Sequence, residues 1–210
     1  MTHAIEDDLA RRDPVMAGLV ALAGPCPLAA GGRRRISHFE YLAQSICYQQ
    51  LTGKVAATIW GRVRALVPGP FTAPAVLALD HEVLRGAGLS NAKALSLHDL
   101  AHRVATGDVR LTAVARLDDD AVVTALTRVR GIGPWTAQMF LLFHLARPDV
   151  WPVTDYGVRV GVARAWHLEE LPTPAALTVL GEGFRPFRST LAWYAWQAAD
   201  LMRDALPTSR

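Results

Sequence analysis

Apolar residues return every three or four positions along nearly the whole chain, the spacing of one buried face on an α-helix. Phe39, Leu42, Ala43 and Ile46 mark one such face. Ser37 and Glu40 stand at its start in capping-box spacing, with Ile36 and Tyr41 placed to form a hydrophobic staple. Val55, Ala56, Ile59, Trp60 and Val63 repeat the pattern behind Thr52 as cap, and Leu97, Leu100, Ala101 and Val104 repeat it behind Ser90. Asp118, Asp119 and Asp120 put negative charge where a helix dipole favours it, ahead of Val122, Val123, Leu126 and Val129. A further helix is predicted from Pro134 to about Arg147; it is apolar on almost every face from Phe140 to Leu145, which predicts central burial. Arg185-Pro186-Phe187 is predicted to open a long final helix, because proline at the first helical position loses no needed donor. Pro25 to Gly32, Pro68-Gly-Pro70 and Pro172-Thr-Pro174 read as loops. Period-two alternation is absent over any useful length, so the fold class is all-α.

Between the helices ending at Val129 and starting at Pro134 the chain reads Arg130-Gly131-Ile132-Gly133, a hairpin bracketed by two helices. Gly131 and Gly133 are free to take positive φ and leave backbone N–H groups uncovered, so a phosphate can sit against them at the start of the next helix. Such a turn grips a nucleic-acid backbone without reading its bases. Beyond the second helix, Trp151-Pro-Val-Thr-Asp155-Tyr156 delivers a single carboxylate. The plain reading of Asp155 is a helix N-cap, which is compatible with chemistry, since hydrogen bonds from helix N–H groups favour a charged carboxylate. Asp149, ahead of the Trp-Pro turn, reads as a solvated loop residue.

The chain has 210 residues, 51% hydrophobic and 20% charged, enough for one sizeable core or two smaller lobes. Its net charge of +3 and isoelectric point near 9.2 agree with a polyanionic partner without requiring one. Cys26 and Cys47 are too few for a disulfide framework or the four thiolates of an iron–sulfur cluster. Seven scattered histidines suggest no transition-metal set. The charged N-terminus lacks a signal-peptide core and no apolar run has the length of a membrane span, which places the expected location in the cytoplasm, with the DNA.

The hairpin with Asp155 resembles the helix-hairpin-helix DNA glycosylases, and within them the 3-methyladenine type. Tyr48-Gln-Gln-Leu-Thr52 with Ala56-Ala57, Gly88-Leu-Ser90 with Lys93, and Arg185-Pro-Phe-Arg-Ser189 resemble family segments in the family order, so the likeness covers most of residues 36 to 200. It implies two helical lobes with a cleft between them: residues 37–150 carrying the helix-hairpin-helix of about 118–147, and residues 1–36 joined to 151–210, together one catalytic unit. The expected form is a compact one, without the N-terminal β domain of larger relatives. The expected partner is double-stranded DNA containing alkylated bases, bound by a monomer.

The resemblance also distributes roles. Asp155 is the expected catalytic residue: breaking an N-glycosidic bond builds positive charge on the deoxyribose, which a nearby carboxylate stabilises while it orients or deprotonates water. Trp135 stands where glycosylases that also cut the backbone carry a lysine, which implies a monofunctional enzyme. Trp135, Tyr156, Trp193, Trp196 and Met139 are the expected base pocket, where electron-rich rings attract a cationic base. Core packing is the plain reading of a helical tryptophan, and Trp60, Trp151 and Trp166 are left to it. Gln50 best matches the wedge that fills the gap behind an extruded base, with Leu51 and Gln49 as alternatives. Gly131, Gly133, Thr136, Arg130 and Lys54 are the phosphate-binding candidates. The carbonyls of Thr127, Val129 and Ile132 are where a monovalent cation would sit, and no other cofactor is expected. A glycosylase for deaminated or oxidised bases, or a DNA-binding module without activity, is the alternative.

Overall fold

The computed structural model describes residues 3–30 and 36–201; the end of the expected Pro25 to Gly32 loop lies outside them. The chain divides into two compact units, residues 34–140 and residues 1–33 with 141–210, here the hairpin unit and the terminal unit. The divide falls between Phe140 and Leu141, inside the second hairpin helix, and not at residue 150. Among the described residues the regular structure is helical throughout. None of these helices is long and apolar enough to cross a membrane.

The chain begins with α1 (His3–Arg12) and α2 (Pro14–Ala23). Asp13 caps α2, taking the Val15 N–H at 2.7 Å ahead of a proline that needs no partner. A 3-10 turn follows at Pro27–Ala30. The hairpin unit then runs through α3 (His38–Tyr48), α4 (Gly53–Ala65), α5 (Ala73–Leu77), α6 (His81–Gly86), α7 (Asn91–Ala105), α8 (Leu111–Val114), α9 (Asp119–Leu126) and α10 (Pro134–Met139). From Phe140–His144 the helix widens into a π-helical turn. The terminal unit continues with α11 (Tyr156–Ala165), α12 (Pro174–Glu182) and α13 (Arg188–Leu201).

Local sequence accounts for most of these boundaries. Ser37, Ser90 and Asp118 cap α3, α7 and α9 through side-chain oxygens, and Thr173 caps α12 ahead of Pro174. The capping box of α3 is only half made, because the Glu40 carboxylate is drawn to Arg64 Nε at 3.0 Å. Thr52 stands at the N-cap of α4 without a side-chain cap bond, and Val55 faces out, leaving Ala56 and Val63 as the buried residues of that helix. The final helix starts at Arg188, after a cis Arg185–Pro186 peptide, and not at Pro186. Ser189 anchors that start: its N–H donates to Pro148 O at 3.0 Å, and its hydroxyl donates to Arg147 O at 2.6 Å.

Leu42, Ile46, Val63, Val76, Leu84, Leu97, Leu100 and Leu126 are fully buried in the hairpin unit. Each such side chain is worth about 1.5–3 kcal/mol relative to exposure. In the terminal unit the core is Leu9, Met16, Val158, Val162, Leu177, Leu191 and Tyr194. The Tyr194 hydroxyl donates to Gly24 O at 2.9 Å, satisfying the one polar atom of that ring. Here α11 and α13 approach unusually closely, since a Cβ on Gly161 would lie 1.7 Å from Ala195 O. Gly157, one turn earlier on the same face, would meet Trp196 Cδ1 at 2.9 Å.

Candidate active site

The hairpin turn is built around Gly131, whose φ of +76° lies in the left-handed region that favours glycine. A Cβ there would also come 2.5 Å from Ser96 Oγ on α7. Asp99, one turn along α7, accepts the Arg130 N–H at 2.7 Å and Arg103 Nε at 2.9 Å. Burial alone would raise the Asp99 carboxyl, but the Arg130 N–H and the Arg103 guanidinium hold it below the usual carboxylate range. The Arg130 amide is therefore committed inside the protein, and only its exposed side chain remains to meet a phosphate. Lys54 is likewise exposed.

Gly133 differs from the expectation of positive φ. It is extended, with φ −90° and ψ 175°, a conformation open to any residue. Its contribution is access, because nothing lies within 4 Å of where a Cβ would be and no side chain caps α10. Thr136 is buried, with its hydroxyl 3.5 Å from Gln49 Nε2, so it faces the protein and not a phosphate. The Val129 carbonyl accepts the Ile132 N–H at 3.1 Å, which closes the turn and leaves that oxygen one lone pair.

The segment after α3 lies beside this turn. Gln49 does not project as a wedge: its Nε2 donates to Gly131 O at 2.8 Å, which ties its amide to the hairpin. Gln50 is a non-glycine residue at φ 57° and is exposed, and Leu51 is 38% exposed, so these two form the outward tip. Lys93 Nζ donates to Cys47 O at 2.9 Å and Gln49 O at 2.6 Å, closing the C-terminus of α3. Partial burial lowers the Lys93 amine from its ordinary value.

A cavity of about 680 Å³ opens between this tip and the start of α10. Trp135 and Met139 line it together with Tyr41, Gln44, Ser45 and Tyr48, which recur along one side of α3. Trp135 is 46% exposed and is not a core residue, whereas Met139 is mostly buried. The Tyr41 hydroxyl donates to Met139 O at 3.3 Å, and burial pushes it up to about 12. The lining contains hydroxyls, amides, rings and a thioether, and no ionisable carboxylate, histidine, lysine or arginine.

In the terminal unit Asp155 caps α11, with Val158 N–H donating to Oδ1 at 2.8 Å. Trp196 Nε1 donates to the same oxygen at 2.8 Å. Two N–H groups therefore fix one rotamer of a half-buried carboxylate. Trp196 also stacks on Phe143, with centroids 5.6 Å apart and an interplanar angle of 24°. Phe143 is 47% exposed, contrary to the all-round burial expected of its helix; the π-helical turn shifts the register that the sequence pattern assumes. Tyr156 is 71% exposed, while Trp193 meets the Tyr194 ring edge-on at 4.8 Å.

Asp149 is not a solvated loop residue. Arg188 reaches it through Nε at 2.7 Å and a second guanidinium nitrogen at 2.8 Å, and Arg185 adds a contact at 2.7 Å. Burial opposes its ionisation, but these cations hold its carboxyl below the usual range. Trp151 and Trp166 have structural roles: their indoles donate to Leu177 O at 2.7 Å and Asp13 Oδ2 at 3.3 Å. Trp60 packs edge-on against Phe71 at 5.2 Å. Among the described residues no three His, Cys, Asp or Glu side chains group as a metal set.

With this arrangement of hairpin, tip and capped carboxylate, the family profile of the HhH-GPD superfamily base excision DNA repair proteins matches residues 43–185. The chain belongs to that superfamily. The HhH-GPD match is accompanied by 33% identity over 166 residues to DNA-3-methyladenine glycosylase 1 of Schizosaccharomyces pombe, covering 78% of this chain and 73% of that protein. The fold is similar to that of the Schizosaccharomyces pombe 3-methyladenine DNA glycosylase in complex with abasic DNA, with a TM-score of 0.79 and 30% identity over 92% of this chain and 95% of the other. It is also similar to a DNA-3-methyladenine glycosidase of Bacillus halodurans, with a TM-score of 0.83 and 29% identity over 93% and 89%.

Several residues of this HhH-GPD chain that shape the two sites escape a reading of the sequence. Tyr41, Gln44, Ser45 and Tyr48 fall at helical spacing opposite the apolar face of α3, and that polar-aromatic stripe was the available signal. Gly157 and Gly161 are spaced one turn apart, which signals a close helix approach. Ser96, Asp99 and Phe143 carry no local signal, since their roles depend on which distant segment folds against them.

Proposed function

We propose that this HhH-GPD protein is a monofunctional DNA glycosylase that extrudes alkylated bases of the 3-methyladenine type from duplex DNA and hydrolyses the N-glycosidic bond. The observation that carries the reading is Asp155, a carboxylate held in one orientation by two N–H donors on a single oxygen. As the C1′–N bond breaks, its electron pair passes to the base and cancels the positive charge of a ring-methylated purine. The sugar is left as an oxocarbenium-like cation, which Asp155 stabilises. The oxygen of water then bonds to C1′, and the proton it gives up passes to the carboxylate or to solvent. The products are the free base and an abasic site.

In the hairpin unit, Trp135, Met139, Tyr41 and Tyr48 offer rings and a polarisable sulfur to a cationic base, which gains cation–π attraction beyond area burial. In the terminal unit, Trp196, Phe143 and Tyr156 add ring faces near the carboxylate. The uncharged lining of the cavity favours a base that is already a good leaving group over a neutral lesion that needs a general acid. Trp135 supplies no amine, so this position forms no Schiff base with the opened sugar. Backbone at Gly131 and Gly133 and the start of α10 receive a phosphate, with Arg130 and Lys54 nearby. Thr127, Val129 and Ile132 would hold a monovalent cation through their carbonyls, adding positive charge for that phosphate. We place the protein with the DNA in the cytoplasm and read it as a monomer.

The test is release of 3-methyladenine from methylated duplex DNA. Asp155→Asn keeps an oxygen for the Val158 N–H and removes the charge, so release falls roughly a hundredfold or more at unchanged folding. Unchanged release in the variant overturns the mechanism, and no release from either protein leaves a DNA-binding module. A panel with 7-methylguanine, 1-methyladenine and hypoxanthine orders the substrates. Borohydride trapping of a protein–DNA adduct would contradict the monofunctional reading.

A further inference from the structure

We propose that Gln49 is a positioning residue that locks the wedge tip to the phosphate-binding hairpin, so that gripping the strand and filling the gap occur as one step. This rests on the glycosylase reading above and assigns a mechanical role to the Gln49 side chain through its bond to the hairpin.

All the groups involved lie in the hairpin unit. Gln49 spans the two loops, with its backbone at the end of α3 and its side-chain amide on Gly131 O at 2.8 Å, a carbonyl of the hairpin turn. α7 underlies both loops. Its Lys93 takes the Cys47 and Gln49 carbonyls at 2.9 and 2.6 Å, its Ser96 packs beneath Gly131, and its Asp99 takes the Arg130 N–H at 2.7 Å. Lys93, Ser96 and Asp99 are spaced three residues apart, so a single helix carries the anchors of both loops.

Gln50 supplies the second observation. A left-handed non-glycine residue persists where its surroundings over-determine it. Here those surroundings are the Lys93 bonds on one side of Gln49 and the Gly131 bond from its side chain. The strained residue is the exposed tip itself, held out while its neighbour is pinned. A tip of that kind inserts without first being ordered, so little entropy is lost at insertion.

The test uses the whole protein and a duplex holding a non-cleavable tetrahydrofuran abasic analogue beside 2-aminopurine. Fluorescence anisotropy of an end label reports binding, and 2-aminopurine emission reports unstacking by the inserted tip. Gln49→Met keeps the side-chain length and removes the donor. It is expected to weaken binding by no more than about threefold while reducing the emission rise at saturation about fivefold, a loss on the scale of one hydrogen bond. Lys93→Met removes the other anchor and moves both readouts in the same direction. Circular dichroism melting establishes that each variant is folded. A full emission rise at saturation in both variants overturns the proposal, and so does a rise that falls only in proportion to the fraction bound. Because the analogue cannot be cleaved, the outcome does not depend on base release. A wild-type protein that unstacks the reporter through Gln49 but releases no base would sink the catalytic reading alone.

Discussion

The two units use paired glycines for opposite purposes. In the hairpin unit Gly131 serves its own backbone, since its φ of +76° is what turns the chain between α9 and α10. In the terminal unit Gly157 and Gly161 are ordinary helical residues of α11 whose missing Cβ atoms make room for another helix. The hairpin glycine shapes the loop proposed to meet DNA; the helical glycines bring α13 close enough for Trp196 to donate to Asp155. One site is therefore made by local conformation and the other by tertiary approach. Substitutions at the same residue type should fail in different ways.

The largest effect is expected at Gly161. Alanine there would place a methyl group 1.7 Å from Ala195 O, and backbone on both sides leaves no flexible side chain to yield. The helices must separate, at a cost of about 3 kcal/mol or more. For a chain of this size that lowers the melting temperature by about 6–12 °C, as scanning calorimetry would record. Excision should fall as well, because Trp196 follows Ala195 and moves away from Asp155 with it. A Gly161→Ala protein that melts with the wild type would mean that α11 and α13 are not in this contact.

Gly131→Ala is the middle case and separates into two causes. One is the left-handed backbone, about 1–2 kcal/mol for a residue with a Cβ. The other is the approach to Ser96 Oγ at 2.5 Å, a small side chain whose hydroxyl also donates to Ala92 O at 2.9 Å. In a Ser96→Ala background the 2.5 Å contact is removed, the Cβ at 3.1 Å stays and the conformational part remains, so Gly131→Ala should cost less there by about 1 kcal/mol. Equal costs in both backgrounds, measured by urea unfolding, would remove Ser96 from the account of the turn.

How much could be read from the sequence follows the same division. The helices, their caps at Ser37, Ser90 and Asp118, the hairpin at Gly131 and the N-cap position of Asp155 are local properties of a few neighbouring residues, and the sequence pattern carries them. The exposed Phe143 was hidden because a π-helical turn breaks the 3.6-residue period on which the pattern depends. Glu40 departed from its capping box because Arg64, on a different helix, offered a charge. Asp149 looked like a solvated residue of its loop only while Arg188 was far away in the chain. Gln49 was one of three adjacent candidates for the wedge, and nothing in Tyr48-Gln49-Gln50-Leu51 says which amide will find the Gly131 carbonyl. For Glu40, Asp149 and Gln49 the deciding partner is distant in sequence, so local periodicity could not contain the answer.

Gly133 gives the smallest change in stability and tests the comparison most finely. Its extended backbone suits any residue, and the space around its missing Cβ is empty, so Gly133→Ala should shift stability by no more than about 0.5 kcal/mol. If the glycine stood there for conformation or packing, as at Gly131 and Gly161, the cost would be several times larger. The added methyl would instead stand over the uncovered start of α10, where a phosphate is proposed to meet the backbone. Binding to an undamaged duplex should then weaken about threefold to tenfold, the scale of the net contribution of one ordinary hydrogen bond. Anisotropy titration at fixed salt measures that loss, which must be compared with Arg130→Ala to separate a blocked backbone from a missing charge. Unaltered affinity in Gly133→Ala would leave the turn without a phosphate at its second glycine and assign the grip to Gly131 and the exposed cations alone.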